Sequence, residues 1–244
     1  MKVLLIGDSC EDRYFYGDVK RLNPEAPVPI LEYRRGVTSK GMVWNVRENL
    51  KSFGVEVYTS THPEEIIKTR YIDEKSNQQI MRYDVEPKIE PLSFDFPTEW
   101  NSLYDALVIS DYDKGFLTTE RIFELSSRFV GPVFIDSKKT NLPADAYIKI
   151  NELEYERMAY CNYENLIITT GGEGAEYKGD LYPAEKVNVF DVVGAGDTFL
   201  AALTYGYLTY GSIEEAIPFA NKAAAIAVSH TGTYVLTEED VKHL

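Results

Sequence analysis

The stretch of this chain best equipped to do chemistry is Asp191-Val192-Val193-Gly194-Ala195-Gly196-Asp197-Thr198-Phe199. Its Gly194-Ala195-Gly196 turn opens directly into a helix-compatible segment. Three small residues there leave consecutive backbone N–H groups bare at a helix N-terminus, a place that favours an anion. Asp197 stands in the first turn beside that mouth. A carboxylate so placed can take the proton of an attacking hydroxyl while the N–H groups stabilise charge on a transferred phosphoryl group. Taken alone, the same residues also fit a tight turn whose aspartate favours the helix dipole.

Other polar groupings read two ways by themselves. Asn151-Glu152-Leu153-Glu154 fits a helix N-cap followed by an acidic first turn. Thr169-Thr170-Gly171-Gly172-Glu173-Gly174 follows an apolar run and fits a hairpin loop. Ala220-Asn221-Lys222-Ala223-Ala224 fits a closely packed helix face. Lys68 and Arg70 are basic residues of a kind usually solvated or paired with carboxylates. His62, His230 and His243 match no metal spacing and read as core or surface histidines.

The elements that must hold these residues follow from apolar periodicity. Short apolar runs at Val3–Ile6, Leu107–Ile109, Val133–Ile135, Tyr147–Ile150 and Leu166–Ile168 alternate with helical patterns such as Thr118–Phe129. That alternation predicts an α/β fold with a buried, mostly parallel sheet flanked by helices, and a ligand crevice at the strands' carboxyl ends. Ile213, Ala216, Ile217, Ala220, Ala224 and Ala227 share one helical face after Gly211-Ser212. Asp197–Tyr210, rich in small residues and carrying Gly206, implies close approach to a neighbouring element. Residues 13–83 differ, being rich in Tyr, Pro and charge. Strand-like pieces at Arg13–Tyr16, Val28–Tyr33, Lys68–Ile72 and Gln78–Tyr83, with one helix at Gly41–Phe53, read as a small accessory sheet. We read it as a lid within a single domain spanning 1–244, its strands at about 13–33 and 67–84.

Composition bounds the function. Lys and Arg number 25 against 39 Asp and Glu, a formal charge of −14. This excludes a broad basic face for nucleic acid, though not a small anion held locally by N–H groups. Two cysteines, Cys10 and Cys161, are too few for a disulfide framework and read as reduced thiols. The N-terminal apolar run stops after four residues, so it reads as a buried strand and not a signal peptide. No stretch nears the roughly 18 apolar residues of a membrane span, and a cytoplasmic protein is expected.

Asp191 with Gly194-Ala195-Gly196-Asp197, taken with the motifs in their order, resembles the ribokinase-like (PfkB) family of carbohydrate kinases. The resemblance implies a ribokinase-like fold, with Asp197 as catalytic base and Gly194, Ala195 and Gly196 as an anion hole. It implies ATP and Mg²⁺ as cofactors. Asn151 and Glu154 would organise the metal through water, Thr169, Gly171 and Gly174 would touch the nucleotide, and Asn221 would line the adenine pocket. The segments Gly7–Gly17, Arg21–Pro29, Lys68-Thr69-Arg70 and Ser110–Gly115 are similar to the branch that phosphorylates heptose 7-phosphate to the 1,7-bisphosphate. By that likeness Asp12 and Asn45 face sugar hydroxyls with Asp8 nearby, Lys68 and Arg70 serve the sugar phosphate, and the lid edges form a homodimer. The sequence departs from the family at Gly41-Met42-Val43-Trp44-Asn45, where a Gly-Gly pair and small residues are usual, and in the short interval between Tyr58 and Lys68. No nucleotidyltransferase domain is expected after Leu244. A PfkB kinase of another sugar or nucleoside, or a non-catalytic nucleotide- or sugar-binding relative, stays open on these residues.

Overall fold

The apolar runs become strands of one large sheet. In the computed structural model, which describes residues 1–96, 100, 102–158 and 163–244, the chain divides into two compact units. Cys161 lies outside the described residues, while Cys10 is a buried free thiol.

The first unit comprises residues 1–8, 42–62 and 89–244. Its strands are β1 (Lys2–Gly7), β4 (Glu56–Ser60), β7 (Ala106–Asp111), β8 (Val133–Ser137), β9 (Tyr147–Asn151), β10 (Leu166–Thr169), β11 (Gly174–Tyr177) and β12 (Asp180–Pro183). They form a sheet in the order β12-β11-β10-β9-β8-β7-β1-β4. Strands β4 through β10 of that order are parallel, and β10-β11-β12 is antiparallel. The expected mostly parallel sheet is therefore present. β4, β11 and β12 were not foreseen: β4 has no fully buried residue, and an edge strand of that kind carries little apolar signal.

Both faces of the sheet are covered, as parallel strands require. Val3, Leu5, Ala106, Val108 and Phe134 share a buried cluster with α1 (Val43–Ser52), α4 (Ala195–Tyr210) and α5 (Ile213–Val228). Leu4, Ile6, Leu107, Ile109 and Ile135 are equally buried and alternate with that set. α2 (Thr119–Arg128) is capped by the Thr118 side chain, matching the predicted helix within a residue at each end. The close approach expected at Gly206 is met: a Cβ there would stand 3.1 Å from Cα of Ala216 on α5.

The second unit comprises residues 9–41 and 63–88. Its sheet, in the order β3-β2-β5-β6, is built from β2 (Ser9–Leu22), β3 (Pro29–Met42), β5 (Ile67–Asp73) and β6 (Gln78–Val85). This is the small accessory sheet, with β2 and β3 longer than the sequence suggested. Residues 34–38 of β3 are exposed throughout, so they carry no period-two pattern to read.

Candidate active site

Asp8, Tyr112 and Asn151 lie at or just beyond the carboxyl ends of β1, β7 and β9. The strand order reverses around β1, which pairs with β4 on one side and β7 on the other, and crevices form at such a point. α4 starts here because Gly194 takes φ 80°, ψ −2°, a left-handed conformation free of steric cost only for glycine. The Ala195 N–H, expected to be bare, donates to the Val192 carbonyl at 3.3 Å. Among the described residues, the N–H groups left without an acceptor at the helix mouth are those of Gly194, Gly196 and Asp197.

Asp197 is buried. The Tyr112 hydroxyl donates to its Oδ1 at 2.7 Å and Asn45 Nδ2 to its Oδ2 at 3.2 Å. Burial pushes its carboxyl up to about 6, reinforced by the charge of Asp136 and opposed by Tyr112, Asn45 and Lys149. An aspartate with that value is ionised near neutral pH yet holds a proton far better than an exposed one.

Asn45 on α1 braces the base. Its Nδ2 also reaches the Gly194 carbonyl at 3.2 Å, and its Oδ1 accepts from Asn49 at 3.1 Å. The amide is thus committed to Asp197 and the turn. Trp44 packs on the core cluster with Arg47 over its ring at 5.3 Å, and Met42 is buried. Met42 takes φ 58°, ψ −128°, a backbone that suits the glycine usual there.

Asp8 is buried as well, and its Oδ2 accepts from the N–H groups of Tyr112 at 2.7 Å and Lys114 at 3.2 Å. It therefore fixes the loop that carries the Tyr112 hydroxyl to Asp197. Burial raises its carboxyl above the ordinary range. His62, a core histidine as expected, lies 4.0 Å from Asp8 Oδ1.

Asn151 and Glu154 form a reciprocal capping box on α3 (Glu152–Tyr155), each side chain accepting from the other's N–H at 2.9 Å. Lys138 holds the second Glu154 oxygen. Burial pushes the Glu154 carboxyl up, but Lys138 and the Asn151 N–H outweigh it, so the group stays ionised below its ordinary range. No cluster of three His, Cys, Asp or Glu able to hold a metal exists among the described residues. The donor set fits one ionised carboxylate serving a Mg²⁺ that keeps waters and shares phosphate oxygens, and does not fit a protein-built cage.

Thr169 donates to the Ile150 carbonyl at 3.2 Å, and Thr170 to that of Gly174 at 3.1 Å, closing the β10–β11 hairpin. Gly171 faces open space, whereas a Cβ on Gly174 would stand 2.1 Å from the Tyr182 carbonyl. Asn221 Nδ2 donates to Tyr182 O at 2.7 Å, tying α5 to β12. An open cleft of about 540 Å³, lined by Lys186, Val187, Asn188, Phe190 and Ser229, lies in the segment leading into Asp191 and at the end of α5.

Asp12, Lys68 and Arg70 belong to the second unit. Asp12 is in register with Lys68, and its Oδ1 pairs with Arg70 Nη1 at 2.5 Å. The Arg70 guanidinium also lies over the Tyr14 ring at 5.1 Å.

Tyr112, Asp136 and Lys149 were missed as site residues. Tyr112 sat unremarked inside the Ser110–Gly115 segment. Lys149 and Asp136 form a buried ion pair at 2.7 Å that no local spacing announces.

Residues 145–240 match the profile described as pfkB family carbohydrate kinase, a segment holding the turn, Asp197, Asn151, Glu154 and Asn221. Over those residues the chain is similar to pfkB-family carbohydrate kinases. PfkB-family kinases are phosphotransferases acting on sugars. The chain is 30% identical to the bifunctional protein HldE of Nitratiruptor sp. over 99% of its own length and 64% of that protein's. It is also 30% identical to HldE of Helicobacter acinonychis, over 98% and 65% respectively. The chain thus spans less than two thirds of these relatives. The first alignment runs over 296 positions against 244 residues, so the relative carries residues absent here.

The fold agrees. Phosphofructokinase-2 from Escherichia coli, in a complex with potassium, superposes with a TM-score of 0.72 at 17% identity, covering 99% of this chain and 96% of that one. Arabidopsis thaliana ribokinase, complexed with ribose and ATP, gives 0.69 at 15% identity, covering 99% and 97%. No helix among the described residues is long and apolar enough to cross a membrane.

Proposed function

We propose that this chain is a pfkB-family kinase that transfers the γ-phosphoryl group of ATP to a hydroxyl of a sugar phosphate, with heptose 7-phosphate as acceptor and its anomeric hydroxyl as nucleophile. The observation that carries this reading is the buried Asp197, braced by Tyr112 and Asn45, at a helix mouth with unspent N–H groups. Asp197 takes the proton of the acceptor hydroxyl as its oxygen bonds to phosphorus and the bond to the β-phosphate oxygen breaks. The Gly196 and Asp197 N–H groups stabilise charge on the transferred group. Catalysis of this kind is mostly positioning and electrostatics. Mg²⁺, when bound, neutralises phosphate charge; Glu154 and Asn151 would hold it through water.

Thr169, Gly171, Gly174 and Asn221 are assigned to the nucleotide, and the cleft at Val187 and Phe190 offers apolar surface for its base. Asp8, Asp12, Asn45, Lys68 and Arg70 are assigned to the sugar side, with Asp8 and Asn45 acting through the loop and the base they hold. The heptose assignment draws on the HldE likeness. It is tested with a panel of heptose, hexose and pentose phosphates and nucleosides, following the product by phosphorus NMR. An anomeric phosphate formed from heptose 7-phosphate in preference to the others is expected. Turnover of another acceptor alone would remove heptose and leave the kinase.

Tyr112→Phe removes a hydrogen bond that favours the ionised base. A bond to a charged group is worth about 1.5–3 kcal/mol, so the acid limb of the kcat/KM profile should move up from about 6 by roughly one to two pH units. A profile unchanged by the substitution would contradict the assigned contact.

A further inference from the structure

Lys149 lies on β9, beside Asp136 on β8, and is only 4% exposed. An ammonium carries three N–H donors. One goes to Asp136 Oδ2 at 2.7 Å, and the other two have no hydrogen-bond acceptor among the described residues. A Cβ built on Gly196 would stand 2.7 Å from Nζ of Lys149, so the ammonium rests directly against the turn. Gly196 is needed there because any side chain would displace it.

The charges around this ammonium are unbalanced. Asp136, Glu154 and Asp197 all act on it, and Lys138 is already paired with Glu154. A buried ion pair with spare donors is a poor way to stabilise a core, since apolar residues of similar volume serve as well or better. The same group beside an anion-binding turn has an evident use.

We propose that Lys149 is a catalytic residue, its two unspent N–H donors taking an oxygen of the transferred phosphoryl group at the Gly194–Gly196 turn. The proposal rests on the kinase reading of that turn. It adds a fixed positive charge from the protein to the backbone N–H groups, in a water-poor setting where such a charge acts strongly.

The test compares wild type, Lys149→Met and the doubly neutral Lys149→Met/Asp136→Asn, all at about pH 8 so that Asp197 is ionised. The double substitution removes the Asp136 charge together with its partner's, so neither member of the pair is left buried and unpaired, and it reports on Lys149 even where the single one folds poorly. Two quantities are read: kcat with the accepted sugar, and affinities for ADP and the non-hydrolysable ATP analogue AMPPNP by calorimetry. We expect kcat about 100-fold lower in both variants with the sugar KM within about threefold. AMPPNP should bind about tenfold more weakly while ADP is unchanged, since ADP lacks the γ-phosphoryl group. A folded double variant with wild-type kcat and wild-type preference for AMPPNP would overturn the proposal. So would a fall in kcat with that preference intact, which is what a merely structural pair predicts. If the wild type transfers nothing to any acceptor, the kinase reading fails, while the AMPPNP and ADP affinities still decide whether Lys149 meets the γ-phosphoryl group.

Discussion

Asp197→Asn is expected to lower kcat by about a hundred- to ten-thousandfold while ATP still binds, because the variant keeps the helix mouth and loses the proton acceptor. The substitution also has a stability signature with a definite sign. The folded-state value of about 6 lies above the ordinary 3.8, so the folded protein holds this proton more tightly than the unfolded chain. Stability from this group is therefore fully present below about pH 4 and is lost as pH rises through about 6. The shift amounts to about 3 kcal/mol, undiscounted for solvent because the side chain is buried. Asn has no such titration. Denaturant midpoints of the two proteins, measured from pH 4 to 8, should diverge in favour of the variant as pH rises. Parallel curves would show that the carboxylate is not held in the environment described.

Gly194→Ala should be nearly as damaging, by a different route. Its left-handed φ of 80° costs an L-residue about 1–2 kcal/mol. The added Cβ would also stand 2.6 Å from Asn45 Nδ2, the atom that contacts both Asp197 and the Gly194 carbonyl. Asn45 cannot yield freely, because Asn49 holds its Oδ1 and is itself tied to the Leu236 N–H at 3.1 Å. The expected result is a melting temperature lower by about 2–8 °C and a kcat lower by about 100-fold. Loss of stability with kcat intact in the folded fraction would separate the turn from the chemistry.

What the sequence disclosed and what it withheld have physical reasons. Asp197 was legible because the turn, helix start and carboxylate are neighbours in the chain. The central strands were legible because burial on both faces demands unbroken apolar runs such as Val3–Ile6. Strand β4 was not, since an edge strand half open to water needs no such run. Asn151 was legible as a cap, and the structure realises that cap in full. Tyr112 meets the base across 85 residues of chain, and only the β7 carboxyl end and the Asp8 bonds bring it there. Lys149 is the one charged residue within the run Tyr147–Ile150, and its meaning depends on Asp136 one strand away and Gly196 against its ammonium.

The account turns on Asp197 as the base of a sugar-directed phosphoryl transfer. The most direct measurement follows label from γ-labelled ATP, with Mg²⁺ and heptose 7-phosphate, into sugar product for the wild type and Asp197→Asn side by side. Label in a sugar bisphosphate from the wild type, and a loss of at least about 100-fold in the variant with ATP binding retained, is the predicted result. Equal transfer by both proteins, or no labelled sugar from the wild type with any acceptor, would contradict it.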